Sequence, residues 1–144
     1  MGRRQVIEGL VESLRQAGGF DAASSGTVLA GDQRMTATGV DRAAIVLPNR
    51  SEHSVMAIGR QRRIDWHLDV AVMIRHNNDV VAARQDADTY LQSLIDRVAA
   101  DPTLGGSAFD AVVTETRVED EAMRIGSLHY LMEVMTVRAT ETLP

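Results

Sequence analysis

An α+β fold, with a mostly antiparallel twisted sheet and two helices packed on one face, is what this sequence predicts. Three observations carry the prediction. Along residues 64–75, Ile64, Trp66, Leu68, Val70, Val72 and Ile74 alternate with Asp65, His67, Asp69, Ala71, Met73 and Arg75. A strand sends successive side chains to opposite faces, so this is a long strand with one strongly apolar face. The period then changes: Ala83, Ala87, Tyr90, Leu91, Leu94 and Val98 recur at three- and four-residue steps, along one side of a helix. Over residues 128–139 the alternation returns, with Tyr130, Met132, Val134 and Thr136 set against Leu131, Glu133, Met135 and Val137. Both faces of that last strand are partly apolar, which places it centrally or covered on two sides. The helix at 83–98 is expected to fold back over the apolar face of the strand before it, and two helices on one face bury both stripes most simply.

The first element is a helix over residues 3–16. Val6, Ile7, Leu10, Val11 and Leu14 form its apolar stripe. Gly9 within it costs roughly 1 kcal/mol relative to Ala. Gly18-Gly19 is expected to supply a left-handed cap. Residues 20–38 are weakly patterned, with a short strand at Thr27-Val28-Leu29-Ala30 and a turn at Gly31-Asp32-Gln33. Residues 42–47 read as a strand stopped by Pro48-Asn49, and residues 54–60 as a second one. Pro48-Asn49-Arg50-Ser51 between them is expected to be a hairpin connection.

Asn77-Asn78-Asp79 separates the long strand from the second helix and offers it capping oxygens. That helix ends by Asp101-Pro102, because proline disfavours helical geometry in the residue before it. Thr103-Leu104-Gly105-Gly106 then reads as a turn with two permissive positions. A Val- and Thr-rich strand follows over 111–118, then an acidic connection Glu119-Asp120-Glu121, then the last long strand. Residues 140–144 are expected to fray. The length fits one domain, 1–144, with a core that needs no staples.

Composition narrows the function classes. There is no cysteine, so a disulfide framework and a thiolate metal site are both excluded. The net charge is −5, against the basic excess of a dedicated nucleic-acid binder. Aromatics are few, so base-stacking platforms are not expected. No run approaches the roughly 18 apolar residues of a membrane span, and the start of the chain lacks the pattern of a secretory signal. The expectation is a soluble protein with no membrane partner.

The search for chemistry returns little. His67 and Asp69, with Asp65 beside them, are the best metal-like constellation, but no second His stands at ligand spacing. The polar face of a half-buried strand accounts for them better. Glu115, Glu119, Asp120, Glu121 and Glu133 supply carboxylates, and nothing singles out a catalytic pair. Neither a Gly-x-Ser-x-Gly elbow nor a phosphate-binding loop is present. Arg60, Arg62 and Arg63 read as a solvated basic strand entrance rather than a phosphate site, and in a ring they could line a pore or pair with acids on a neighbour. Met73, Met123, Met132 and Met135 are gap fillers in a core or interface. His53, His76 and His129 are scattered. No catalytic, cofactor-binding or metal residue is assigned.

The middle and end of the chain carry a resemblance. Its residues are the Trp-containing strand Ile64-Asp65-Trp66-His67-Leu68-Asp69-Val70-Ala71-Val72 and the helix Ala83-Arg84-Gln85-Asp86-Ala87-Asp88-Thr89-Tyr90-Leu91. The turn Asp101-Pro102-Thr103-Leu104-Gly105-Gly106, a Val-rich strand and a final long strand complete it. This pattern, over roughly residues 60–140 with the starting helix in position, resembles the tail terminator (tail completion) proteins of long-tailed phages and phage-like gene transfer particles. The resemblance implies a subunit without catalytic residues or cofactor that forms a six-membered ring. The ring would cap the head-proximal end of the tail tube, stop its polymerisation and offer the head-joining surface. The implied partners are further copies of itself, the tube protein and the neck or connector proteins, with DNA at most passing through the lumen. The implied location is the virion tail or neck, assembled in the host cytoplasm. Loop character makes residues 24–38 and 119–121 the expected contacts with tube or head. Two alternatives stand beside this one: a head-tail connector or head-completion protein, and a small bacterial ligand- or metal-binding domain.

Overall fold

A computed structural model of the protein describes residues 2–18, 20, 26–31, 41–55, 61–76, 79–125 and 128–143. Helix α1 (Arg3–Leu14) comes first, followed by β1 (Gly26–Ala30), β2 (Arg42–Val55) and β3 (Arg62–His76). Helix α2 (Val80–Ala100), a short 3-10 turn (Leu104–Gly106), β4 (Asp110–Ile125) and β5 (Leu128–Leu143) complete the chain. The five strands form one sheet in the order β1-β2-β3-β5-β4. Only β1 and β2 run parallel; β2 with β3, β3 with β5, and β5 with β4 are antiparallel. β3 and β4 therefore point the same way. The β3-α2-β4 crossover leaves a gap between them that β5 fills from the chain terminus.

The apolar face of β3 meets the helices as its alternation predicts. Leu68, Val70, Val72 and Ile74 share one core with Val6, Leu10 and Leu14 of α1 and with Leu94 and Val98 of α2. Trp66, Tyr90 and Leu91 pack against that core from its margin. Both helices lie on this face because both stripes need the same apolar surface. Asp79 caps α2: its carboxylate accepts from the Ala82 N–H at 3.0 Å. Asp101 closes the other end, and its carboxylate accepts from the Gly105 N–H at 3.1 Å. Gly105 and Gly106 sit at φ +68° and +93°, which the turn requires and glycine permits.

Four expectations are corrected. The predicted hairpin at Pro48-Asn49-Arg50-Ser51 does not form: β2 is continuous from Arg42 to Val55, with a register shift between Pro48 and Arg50. A bulge absorbs the extra residue and bends the strand without ending it. Proline is tolerated there because β1 stops opposite Val46, so Pro48 stands on an edge. Secondly, Glu119-Asp120-Glu121 is not a connection, since β4 runs through it to Ile125 with an irregularity between Glu119 and Met123. Thirdly, residues 140–143 do not fray: they pair with β3 as far as Leu143↔Arg62, and Thr140 and Glu141 are buried. Their partner β3 is itself long, so the terminal residues are tied down by a ladder. Finally, α1 ends at Leu14, with Arg15 as a right-handed cap, four residues before Gly19. Residues 15–17 tighten into a final turn, with Gln16 and Ala17 N–H groups donating to Ser13 and Leu14 carbonyls. Gly19, most of 24–38 and the predicted strand end at 56–60 lie outside the described residues.

Candidate functional site

The opposite face of the sheet holds the chemistry-bearing residues. Register fixes which ones share it. Asp65 stands across from Thr140 and Glu52, His67 from Arg138 and Arg50, and Asp69 from Thr136 and Leu47. Side chains directly opposite in a ladder share a face, so these rungs form a polar patch over β2, β3, β5 and the start of β4. Further along the same face the rungs turn apolar: Ala43, Met73 and Tyr130 are fully buried, with Ile45 and Met132 packed against them. No described helix lies on this face. Long strands with a helix layer on one side only leave their second face to cover itself.

Within the polar patch the two predicted carboxylates have partners, and the buried Nε2 of His67 has no hydrogen bond. Asp65 accepts from the Thr140 hydroxyl at 2.7 Å and from Arg63 at 3.2 Å. Asp69 accepts from the Thr136 hydroxyl at 2.9 Å and from the Asn49 amide at 3.3 Å, with Arg117 at 3.7 Å. His67 is 9% exposed and its Nε2 lies 3.6 Å from the Glu52 carboxylate, beyond a hydrogen bond. The two carboxylates thus spend their lone pairs on hydroxyls and guanidinium groups. Among the described residues, no group of three or more His, Asp and Glu side chains converges as a metal shell would. A shallow groove of about 290 Å³ opens beside them, lined by Asn49, Arg50, His67, Glu115, Arg117 and Thr136. Two arginines and one carboxylate are its charged walls, and Arg50 and Arg117 are already paired with Glu52 and Glu119.

Burial pushes the Asp65 carboxyl up, but the Thr140 hydrogen bond, with Arg63 and Arg138 beside it, holds it below the usual carboxylate range. A folded-state pKa below the unfolded one contributes stability above the unfolded value, and that stability is lost as pH falls through the folded one. Asp65→Asn is therefore expected to cost about 1 kcal/mol near neutral pH. In strong acid the cost should vanish. Urea denaturation at both pH values measures the difference, and an equal cost at both would refute the charge-based account.

The remaining candidates are dispersed. Glu133 is buried on the helix side of β5 and pairs with Arg84 of α2 at 3.3 Å, so it anchors a helix to the sheet. Glu115 and Glu119 lie on β4, with Arg117 bonded to Glu119 at 3.0 Å. Arg63 pairs with Asp65, Arg62 begins β3, and Arg60 lies outside the described residues. Met73 and Met135 are buried, as gap fillers are. His53 meets the edge of Trp66 at 6.1 Å, and His76 stands 6.0 Å from His129.

Sequence reasoning missed Arg138, Thr136, Thr140 and Glu141. Glu141 was assigned to a frayed tail, yet it is buried and accepts from the Trp66 indole N–H at 2.8 Å. One signal was available: a lone Trp on a predicted core strand needs a buried acceptor for its N–H.

No protein-family model matches the chain, and no curated protein does. A solved structure known only by a sequence identifier is similar to it, with 18% identity over 96% of each chain and a TM-score of 0.54. At that identity the likeness speaks for the fold alone: a five-stranded, mostly antiparallel sheet with two helices.

Proposed function

We propose that this protein is a ring-forming structural subunit of a phage-type tail, a tail terminator that caps the head-proximal end of the tube. One observation carries the reading: the sheet outruns its helices. β3, β4 and β5 are 15, 16 and 16 residues long, and the nine residues 47–55 of β2 are all exposed. A sheet of that length, with no described helix on its second face, suits a subunit whose surfaces are completed by neighbours. The two carboxylates of the patch are held in place by hydroxyls and arginines, as structural groups are. The resemblance of the Trp strand, the α2 helix and the Asp101–Gly106 turn supplies the tail context.

The test is assembly. Light scattering on the purified protein, alone and with tail-tube protein, is expected to show one closed oligomer. Electron microscopy is expected to show tubes of arrested length with the protein at one end. A strict monomer that leaves tube length unchanged would refute the proposal. Label on the head side of the neck, away from the tube end, would transfer the protein to the connector reading. A thermal shift with divalent cations is expected to move the melting temperature by less than a degree or so, the size of ordinary salt effects. A saturable shift with one cation would favour the metal-binding domain.

A further inference from the structure

The sheet has two open margins. On one side β1 pairs only with residues 42–46 of β2, so residues 47–55 have no strand beyond them among the described residues. On the other side β4, 16 residues long, is last in the sheet order. Five of the seven large apolar side chains exposed among the described residues lie at these two margins: Leu47 and Val55 on β2, Phe109 just before β4, and Val112 and Val118 on it. Edge strands carry unpaired N–H and C=O groups that template pairing with another chain. Natural edges are commonly blunted by lysine, but all 15 basic residues here are arginine, the cation that interfaces favour.

We infer that β4 of one copy adds to residues 47–55 of β2 in the next copy, so that the sheet continues from subunit to subunit. This rests on the ring reading above and names the surface that would make the ring. The strand sense agrees. β2 is antiparallel to β3, and β3 and β4 are both antiparallel to β5, so β2 and β4 are antiparallel within one subunit. Rotation about an axis along the strands preserves that sense, and the intersubunit pair is antiparallel as well. The contact joins two different margins, so it is heterologous and closes by rotation rather than as a two-fold dimer.

Beside the β2 margin lies a groove of about 630 Å³, with Ile7, Leu47 and Pro48 among its walls and Arg3, Arg4 and Glu8 at its rim. Val118 of β4 stands across from Glu133, which puts it on the helix side of the sheet, whereas Arg117 and Glu119 face the other way. The groove opens beside α1, on the same side of the sheet, so the apolar side chain of Val118 fits its apolar wall.

The chain has no cysteine, which makes cross-linking clean. Leu47→Cys, Val118→Cys and the double variant, all at exposed positions, are treated with a short bis-maleimide and run on a denaturing gel. The double variant is expected to give a ladder from dimer to the full ring, and each single variant only monomer. Val118→Lys is expected to weaken assembly roughly tenfold or more while leaving the far-ultraviolet circular dichroism of the subunit unchanged. Dimers from either single variant would mean that like margins meet, and would overturn the inference. So would a double variant without a ladder that still forms the wild-type oligomer; the ring reading would survive that result. A wild-type protein that stays monomeric with tubes present would remove both.

Discussion

Leu68→Ala is expected to lower the unfolding free energy by about 3–5 kcal/mol, as a shift of the urea midpoint with little change in slope. Leu68 is fully buried near the middle of β3, under both helices. Truncation removes the transfer free energy of its methyl groups and leaves a cavity that rigid strands on either side cannot close. β2 and β5 hold β3 from both sides, pairing Leu68 with Pro48 and Val137. Leu94→Ala in α2 should behave alike, since Leu94 is also fully buried in that core. The control is Leu47→Ala, whose side chain is 40% exposed and which should change stability by about half a kcal/mol or less. Domains of ordinary stability hold about 5–15 kcal/mol, so the Leu68 variant would be close to unfolding. A Leu68 variant no worse than the Leu47 control would mean that the core is not where the strand pattern puts it.

Gly9→Ala is expected to destabilise by about 1–3 kcal/mol, opposite in sign to the roughly 1 kcal/mol gained from helix propensity. A β-carbon on Gly9 would lie 2.1 Å from the Ser107 hydroxyl, 2.5 Å from its β-carbon and 2.9 Å from the Leu104 carbonyl oxygen. The hydroxyl can rotate away, but the carbonyl belongs to a turn whose residues 104–106 all sit at positive φ. The helix must therefore lift off the turn that follows α2. Ser107→Gly in the same chain removes two of the three collisions and should recover part of the loss. A double-mutant cycle over the four proteins reads that coupling. A stabilised Gly9→Ala protein would show that α1 does not press on this turn.

These two positions mark what could and could not be read from the chain. Leu68 belongs to a strand whose alternation is long and unbroken, and its burial followed from period two alone. Both ends of α2 were equally legible, because Asp79 at its start and Asp101, Pro102 and the two glycines at its close act through local backbone chemistry. Gly9 was different. Its local cost was visible, while its reason is a turn nearly a hundred residues away. The continuous β2 was hidden by Pro48, whose breaking effect depends on whether a strand lies beyond it. The buried tail 140–143 was hidden because its own residues are polar; Thr140 serves Asp65 and Glu141 serves Trp66, across strands.

For the polar patch, the sequence placed Asp65, His67 and Asp69 on one face and left open what surrounds them. Pairing with β5 brings Thr136, Arg138 and Thr140 opposite, and the hydroxyls of Thr136 and Thr140 then engage the two carboxylates of the metal-like spacing. Periodicity, capping and turn chemistry are properties of neighbours along the chain, and the amino-acid order determined them: two amphipathic helices, an apolar ribbon and a glycine turn. Strand order, the bulge at Pro48 and the two open margins are properties of residues far apart in sequence. Only the folded sheet decided them, because a strand's exposed edge has no signature until its neighbours are in place.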